Sequence, residues 1–179
     1  GLAQLPKGSR ILDVGCGIGG SARILAEQYG FDVVGITISK EQVRRAQQLT
    51  PVGRTCRFEV MDALALQFPK GTFDGVWSVE AGPHIPDKQR YADEMLRVLR
   101  PGGVLAVADW NSRDVVDRRL TFLDTVVMRQ LLNLWAHPDF STIDGFRNNL
   151  LNSRFYGGDV GTADWTKATL PSWNQSILE

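Results

Sequence analysis

Arg10-Ile11-Leu12-Asp13-Val14-Gly15-Cys16-Gly17-Ile18-Gly19-Gly20 decides the reading of this chain. Five residues, mostly apolar, run as a buried strand and open directly into a glycine loop. Gly15, Gly17 and Gly20 satisfy G-x-G-x-x-G, while Asp13, Gly15, Gly17 and Gly19 satisfy D-x-G-x-G-x-G. Both patterns describe a tight turn without Cβ atoms, where a ligand approaches the backbone at a helix N-terminus. Either alone is weak, and two details separate them. A carboxylate at Asp13 repels a pyrophosphate but suits a ligand that carries an amino group. The next strand ends in Gly35-Ile36-Thr37-Ile38-Ser39, without the acid that dinucleotide folds use for ribose hydroxyls. The missing acid weakens any nucleoside reading, but the dinucleotide reading also leaves Asp13 unexplained.

Outward from the loop, short apolar runs alternate with helical patterns, and no internal repeat is found. A helix is expected through Tyr29, with Ile24, Leu25 and Tyr29 on one face and Gly30 as its stop. Residues 31–38 read as the second strand. Ser39 and Gln42 form a capping box opening a helix that Thr50-Pro51 ends. Strands follow over 57–61 and 73–79. Asp87 caps a helix carrying Tyr91, Met95 and Leu99, and Pro101-Gly102-Gly103 turns into a fifth strand over 104–108. Val115 to Trp135 reads as a long amphipathic helix, Ser141 starts a shorter one ending near Asn152, Asp159 to Trp165 a sixth strand, and Pro171 to Glu179 the start of another helix. Almost continuously apolar strands alternating with helices predict a doubly wound, mainly parallel α/β sheet. Ligands of such sheets sit outside the carboxyl ends of the strands, where the strand order reverses.

The 179 residues fit one domain. Twenty basic side chains balance twenty acidic ones, so no electrostatic footprint for a nucleic acid exists. Two cysteines are too few for a disulfide scaffold. No apolar run is long enough for a membrane span, and no signal peptide is visible.

Beyond composition and pattern, Ile11 to Gly20 resembles motif I of the class I S-adenosylmethionine-dependent methyltransferases. Gly35 to Ser39 resembles the branch that replaces the ribose acid with a threonine, and Val60-Met61-Asp62-Ala63 the adenine-edge motif. The stretch from Phe73 to His84 and Leu99-Arg100-Pro101-Gly102-Gly103 are similar to later motifs. The likeness runs along nearly the whole chain and is strongest to cyanobacterial and plastid enzymes that methylate a ring carbon of a prenylated benzoquinol in tocopherol and plastoquinone synthesis. It implies a Rossmann-like single domain truncated at both ends, residues 1–110 being the cofactor half and 111–179 the substrate-side helices and last strand.

The resemblance implies S-adenosylmethionine as cofactor, held by Asp13, Gly15, Cys16, Gly17, Gly19, Thr37, Ile38, Gln42, Asp62, Ala63 and Val79. Asp13 would accept from the methionine amino group, Thr37 and Gln42 would meet the ribose, and Asp62 with Ala63 the adenine edge. His84 and Glu80 are the candidate catalytic pair. A base that takes a quinol hydroxyl proton makes the ring carbon a stronger nucleophile, and imidazole titrates near neutrality. His84 and Trp110 would face the acceptor. Each has a plainer alternative: a loop cap for Asp13, a turn for Asp62, a backbone-bonded loop histidine for His84. Trp77 reads as core, and Trp135, Trp165 and Trp173 as core or lid surface. His137-Pro138-Asp139 lacks a second histidine, so no metal is expected. Competing readings are a methyltransferase for another small acceptor, such as tocopherol, a sterol or an O/N nucleophile, a non-catalytic binding core, and a nicotinamide oxidoreductase. A lipophilic quinol, no nucleic acid and a cytoplasmic or stromal setting with peripheral membrane contact complete the expectations.

Overall fold

The computed structural model describes residues 1–51, 53, 55–112, 121–134, 138–169 and 171. Strands β1 (Arg10–Val14), β2 (Asp32–Thr37), β3 (Cys56–Val60), β4 (Phe73–Val79) and β5 (Leu99–Ala108) form one parallel sheet in the order β3-β2-β1-β4-β5. The chain lays down β1, β2 and β3 in one direction and then returns to the other side of β1 with β4. The order therefore reverses between β1 and β4, the switch point outside whose carboxyl ends sheets of this kind hold their ligands.

Helices α1 (Gly20–Tyr29) and α2 (Lys40–Leu49) share one core with Ile11, Val33 and Phe58. Helix α3 (Lys88–Val98) packs the other face over Leu12, Val14, Val34, Ile36 and Val76. Neighbouring strand residues thus feed opposite cores, which is why these strands read as almost unbroken apolar runs. Helix α4 (Phe122–Leu134) follows, and α5 (Ile143–Leu151) brings Phe146 against the α3 side. Two short 3-10 turns lie at Leu2–Gln4 and Gly82–His84.

Several expectations change. Helix α1 buries Ala22, Leu25 and Ala26, while Ile24 and Tyr29 lie on the exposed side. Its buried stripe is still an i, i+3, i+4 set, but built on alanines that let the helix lie close to the sheet. Leu99 is not the last residue of α3; it opens β5, and Pro101-Gly102-Gly103 lies within that strand as an irregularity in its register with β4. Residues 159–165 form no strand. Asp159, Gly161 and Asp164 are poor strand formers, and the Asp164 carboxylate instead accepts from Thr166 N–H at 2.8 Å, opening a helical turn over 166–169. Trp165 is exposed there, whereas Trp77 packs against the α1-side core. Of the helix expected over 115–135 the described part is α4; residues 113–120, Trp135 to His137, and 172–179 with Trp173, which make up nearly all of the helix expected over 171–179, lie outside the described residues.

Candidate functional site

The glycine loop hangs from β1 over the end of β2. Gly15 and Cys16 N–H groups both donate to the Ile36 carbonyl at 2.9 Å, and Gly19 N–H donates to Cys16 O at 2.8 Å. Gly15 has φ of 75°, and a Cβ there would stand 2.4 Å from the Ala81 Cβ. That contact ties the loop after β1 to the segment after β4 across the switch point. Gly17 has φ of 53°, yet a Cβ on it would meet nothing within 4 Å. The space beside Gly17 is open, as a ligand cradle requires. Gly19, at φ of 78°, presses on the Phe58 ring instead.

Asp13 is buried beneath this loop at 1% exposure. Its carboxylate accepts from Ser21 Oγ at 2.9 Å and from the Ala22 amide, both at the start of α1. Burial pushes its pKa up to about 7, with those two hydrogen bonds pulling the other way. The residue therefore performs the plain capping role, but with a carboxyl balanced between its two protonation states. The Cys16 thiol is buried and pushed up to about 12 by burial and then by Asp13, so it is inert as a nucleophile.

At the end of β2, Thr37 Oγ1 donates to Gln42 Oε1 at 2.6 Å and accepts from Ser39 N–H at 3.2 Å. Ser39 Oγ accepts from Gln42 N–H at 3.3 Å, so the cap on α2 forms. The reciprocal half of the box does not: Thr37 takes the Ser39 amide and the Gln42 side chain turns to Thr37. Thr37 and Gln42 thus stand joined as a polar pair at the strand end. Ile38 is exposed beside them at 76%. After β3, the exposed Asp62 accepts from Leu64 N–H at 2.8 Å and shapes the turn that holds the half-buried Ala63.

After β4, Val79 leads to Glu80, which adopts φ of 56° in the left-handed region. Such backbone in a non-glycine residue costs on the order of 1 kcal/mol and gathers at functional sites. Glu80 Oε1 accepts from Trp110 Nε1 at 3.2 Å, joining the ends of β4 and β5. His84 closes the 3-10 turn, its N–H donating to Ala81 O at 3.1 Å, with its side chain exposed. A small cleft beside this turn is lined by Gly82, Pro83, Lys88, Asp109, Trp110 and Phe146, among others.

Asp109 and Lys88 carry no motif that marks them in the sequence. The Asp109 carboxylate accepts from Gly82 N–H at 3.2 Å, and Lys88 Nζ donates to Gly82 O at 2.8 Å and to Ile85 O. The signal was present as an acid directly following the fifth strand, but only the pairing of β4 with β5 gives it a partner. Among the described residues, no three His, Cys, Asp or Glu side chains gather as a metal site.

Comparison with known proteins adds the family. Residues 12–107 match the methyltransferase domain. The chain is 59% identical over all 179 residues to the 2-methyl-6-phytyl-1,4-hydroquinone methyltransferase of Synechocystis, covering 56% of that protein. It is 34% identical over 169 residues to the chloroplastic tocopherol O-methyltransferase of Arabidopsis thaliana, covering 92% of this chain and 48% of that one. The chain thus spans about half the length of these curated relatives. The crystal structure of geranyl diphosphate C-methyltransferase from Streptomyces coelicolor shares the fold with a TM-score of 0.79 at 23% identity, over 99% of this chain and 64% of that chain. The chain belongs to the methyltransferase domain family.

Proposed function

We propose that this member of the methyltransferase domain family transfers a methyl group from S-adenosylmethionine to a ring carbon of a prenylated benzoquinol. The observation that carries the reading is the 59% identity to a phytyl-hydroquinone methyltransferase along every residue of the chain. When bound, the cofactor supplies a methyl group on a sulfonium, an electrophile needing alignment and dryness more than acid–base help. The residues fit such a group. A buried carboxyl at Asp13 suits an ammonium, open space beside Gly17 suits a chain lying on the backbone, and the Thr37–Gln42 pair suits ribose hydroxyls. Ile38, Asp62, Ala63 and Val79 belong to the same carboxyl edge of the sheet, and Gly15, Cys16 and Gly19 shape its loop. Residues 1–110 would serve the cofactor and 111–179 the acceptor side.

On the acceptor side, His84 takes the proton from a quinol hydroxyl, which raises the nucleophilicity of the ring carbon. The ring carbon would take the methyl as its bond to the sulfonium sulfur breaks, leaving a neutral thioether, and the ring hydrogen would then pass to water as a proton, restoring the aromatic ring. Glu80 orients the acceptor, and Trp110 offers an apolar wall. A lipophilic quinol would be met at a membrane surface facing cytoplasm or stroma; among the described residues no helix is long and apolar enough to cross one. Calorimetric titration with S-adenosylhomocysteine, with NAD in parallel, tests the cofactor. Saturable binding of the former alone supports the reading, and binding of NAD alone overturns it. With labelled cofactor and a prenylated quinol, His84→Ala keeps nucleoside affinity and slows turnover about 100-fold or more; unchanged turnover removes the base.

A further inference from the structure

We propose that Asp109 is a positioning residue, whose carboxylate works with the Lys88 ammonium to hold the strap from Glu80 to Ile85 in the arrangement that presents Glu80 and His84 at the switch point. The inference rests on the function proposed above for those two side chains.

Register brings the pieces together. Val79 pairs with Ala108, so Glu80 and Asp109 emerge side by side from β4 and β5. Glu80 N–H donates to Ala108 O at 2.9 Å. The peptide groups of Gly82 are then gripped at both poles: Asp109 Oδ1 accepts its N–H at 3.2 Å, and Lys88 Nζ donates to its carbonyl at 2.8 Å. The same ammonium reaches Ile85 O, closing the far end of the strap. A side chain at position 82 is incompatible with this grip, because a Cβ would stand 2.0 Å from Asp109 Oδ2. The left-handed Glu80 needs such fixing, since a strained residue persists only where its surroundings over-determine it.

The charged and titratable groups acting with the carboxylate are Glu80, Lys88 and Tyr91, and Asp139 also acts on Lys88. Burial pushes the Asp109 carboxyl up to about 6, while the Gly82 and Ala81 amides and Lys88 favour its charged form and Glu80 opposes it. Above that pH the carboxylate accepts the strap amides. Below it the proton removes that anionic acceptor, and the strap loosens.

Hydrogen exchange of the intact chain, read by mass spectrometry on peptides covering 81–85, 10–14 and 20–29, tests the clamp. In Asp109→Asn the strap exchanges about tenfold faster or more, while the other two segments match the parent. Gly82→Ala, which displaces the carboxylate without removing it, gives the same local pattern. After correction for intrinsic rates, the parent strap loosens below about pH 6 and the Asn variant shows no such step. S-adenosylhomocysteine affinity stays within about threefold, and turnover of a prenylated quinol falls in kcat with cofactor KM unchanged. Unaltered strap exchange in both variants overturns the clamp, and uniform acceleration along the chain assigns Asp109 a merely structural role. A loosened strap with the parent's kcat overturns the positioning role. A parent chain that binds no S-adenosylhomocysteine overturns the proposed function instead, while the exchange pattern still decides whether the clamp exists.

Discussion

Asp13 is held where an ionised carboxylate is expensive, and that cost has a measurable signature. Its pKa rises from an ordinary 3.8 to about 7 in the folded chain, chiefly through burial. The native state therefore binds the proton more tightly than the unfolded one, and stability falls as pH climbs through that window. Above about pH 7 the loss is complete, on the order of 4 kcal/mol by linkage. Asp13→Asn should thus exceed the parent in stability by a few kcal/mol at pH 8 and match it near pH 4, checked by urea unfolding at both. A difference that does not change with pH would show that the carboxyl is not strained. A ligand ammonium reverses the preference and favours the charged form, so nucleoside affinity should weaken as pH falls below 7. A residue that costs the free protein stability and would serve a bound ammonium fits a site better than a scaffold.

The start of α2 separates scaffold from site among neighbouring polar residues. Ser39 Oγ accepts the Gln42 amide and is the functioning cap, whereas the Gln42 side chain bonds Thr37 rather than closing the box. Ser39→Ala should cost about 1 kcal/mol of stability, and Gln42→Ala about 0.5 kcal/mol or less, measured by thermal or urea unfolding. Gln42→Ala should weaken nucleoside binding, because the Thr37 hydroxyl loses its partner at the strand end. Equal stability losses would restore Gln42 to the capping box. Helix α3 shows the same division on the other face. Asp87 caps it through the Arg90 amide at 2.9 Å, Tyr91, Met95 and Val98 fill the core, and Lys88 is left for the strap.

At the scale of the molecule, the five strands deliver their following loops to one edge, and the site is the sum of those loops. No single element holds a ligand, so ligand binding must stabilise the sheet as a whole. S-adenosylhomocysteine at about 100 times its Kd should add roughly 2.7 kcal/mol and, at about 2–4 °C per kcal/mol for a chain of this size, raise Tm by about 5–11 °C. NAD at the same concentration should leave Tm unchanged. Calorimetric binding without a thermal shift would place the ligand off the folded core.

By itself the sequence determined the strand–helix alternation, the parallel sheet and the glycine loop over Asp13, and it singled out the stretches after each strand as the place where such a sheet would hold a ligand. These follow from local chemistry: apolar runs buried on both faces, glycines where φ is positive, and caps such as Ser39 and Asp87. The tertiary structure alone decided which face of α1 is buried, that residues 159–165 lack a strand, that Pro101-Gly102-Gly103 lies inside β5, and that Gln42 turns to Thr37. Above all it decided that Asp109 meets Gly82, 27 residues away in the chain. Each of these depends on which strands are neighbours and in what register. That is settled by how the two cores pack across the sheet, which no short stretch of sequence carries.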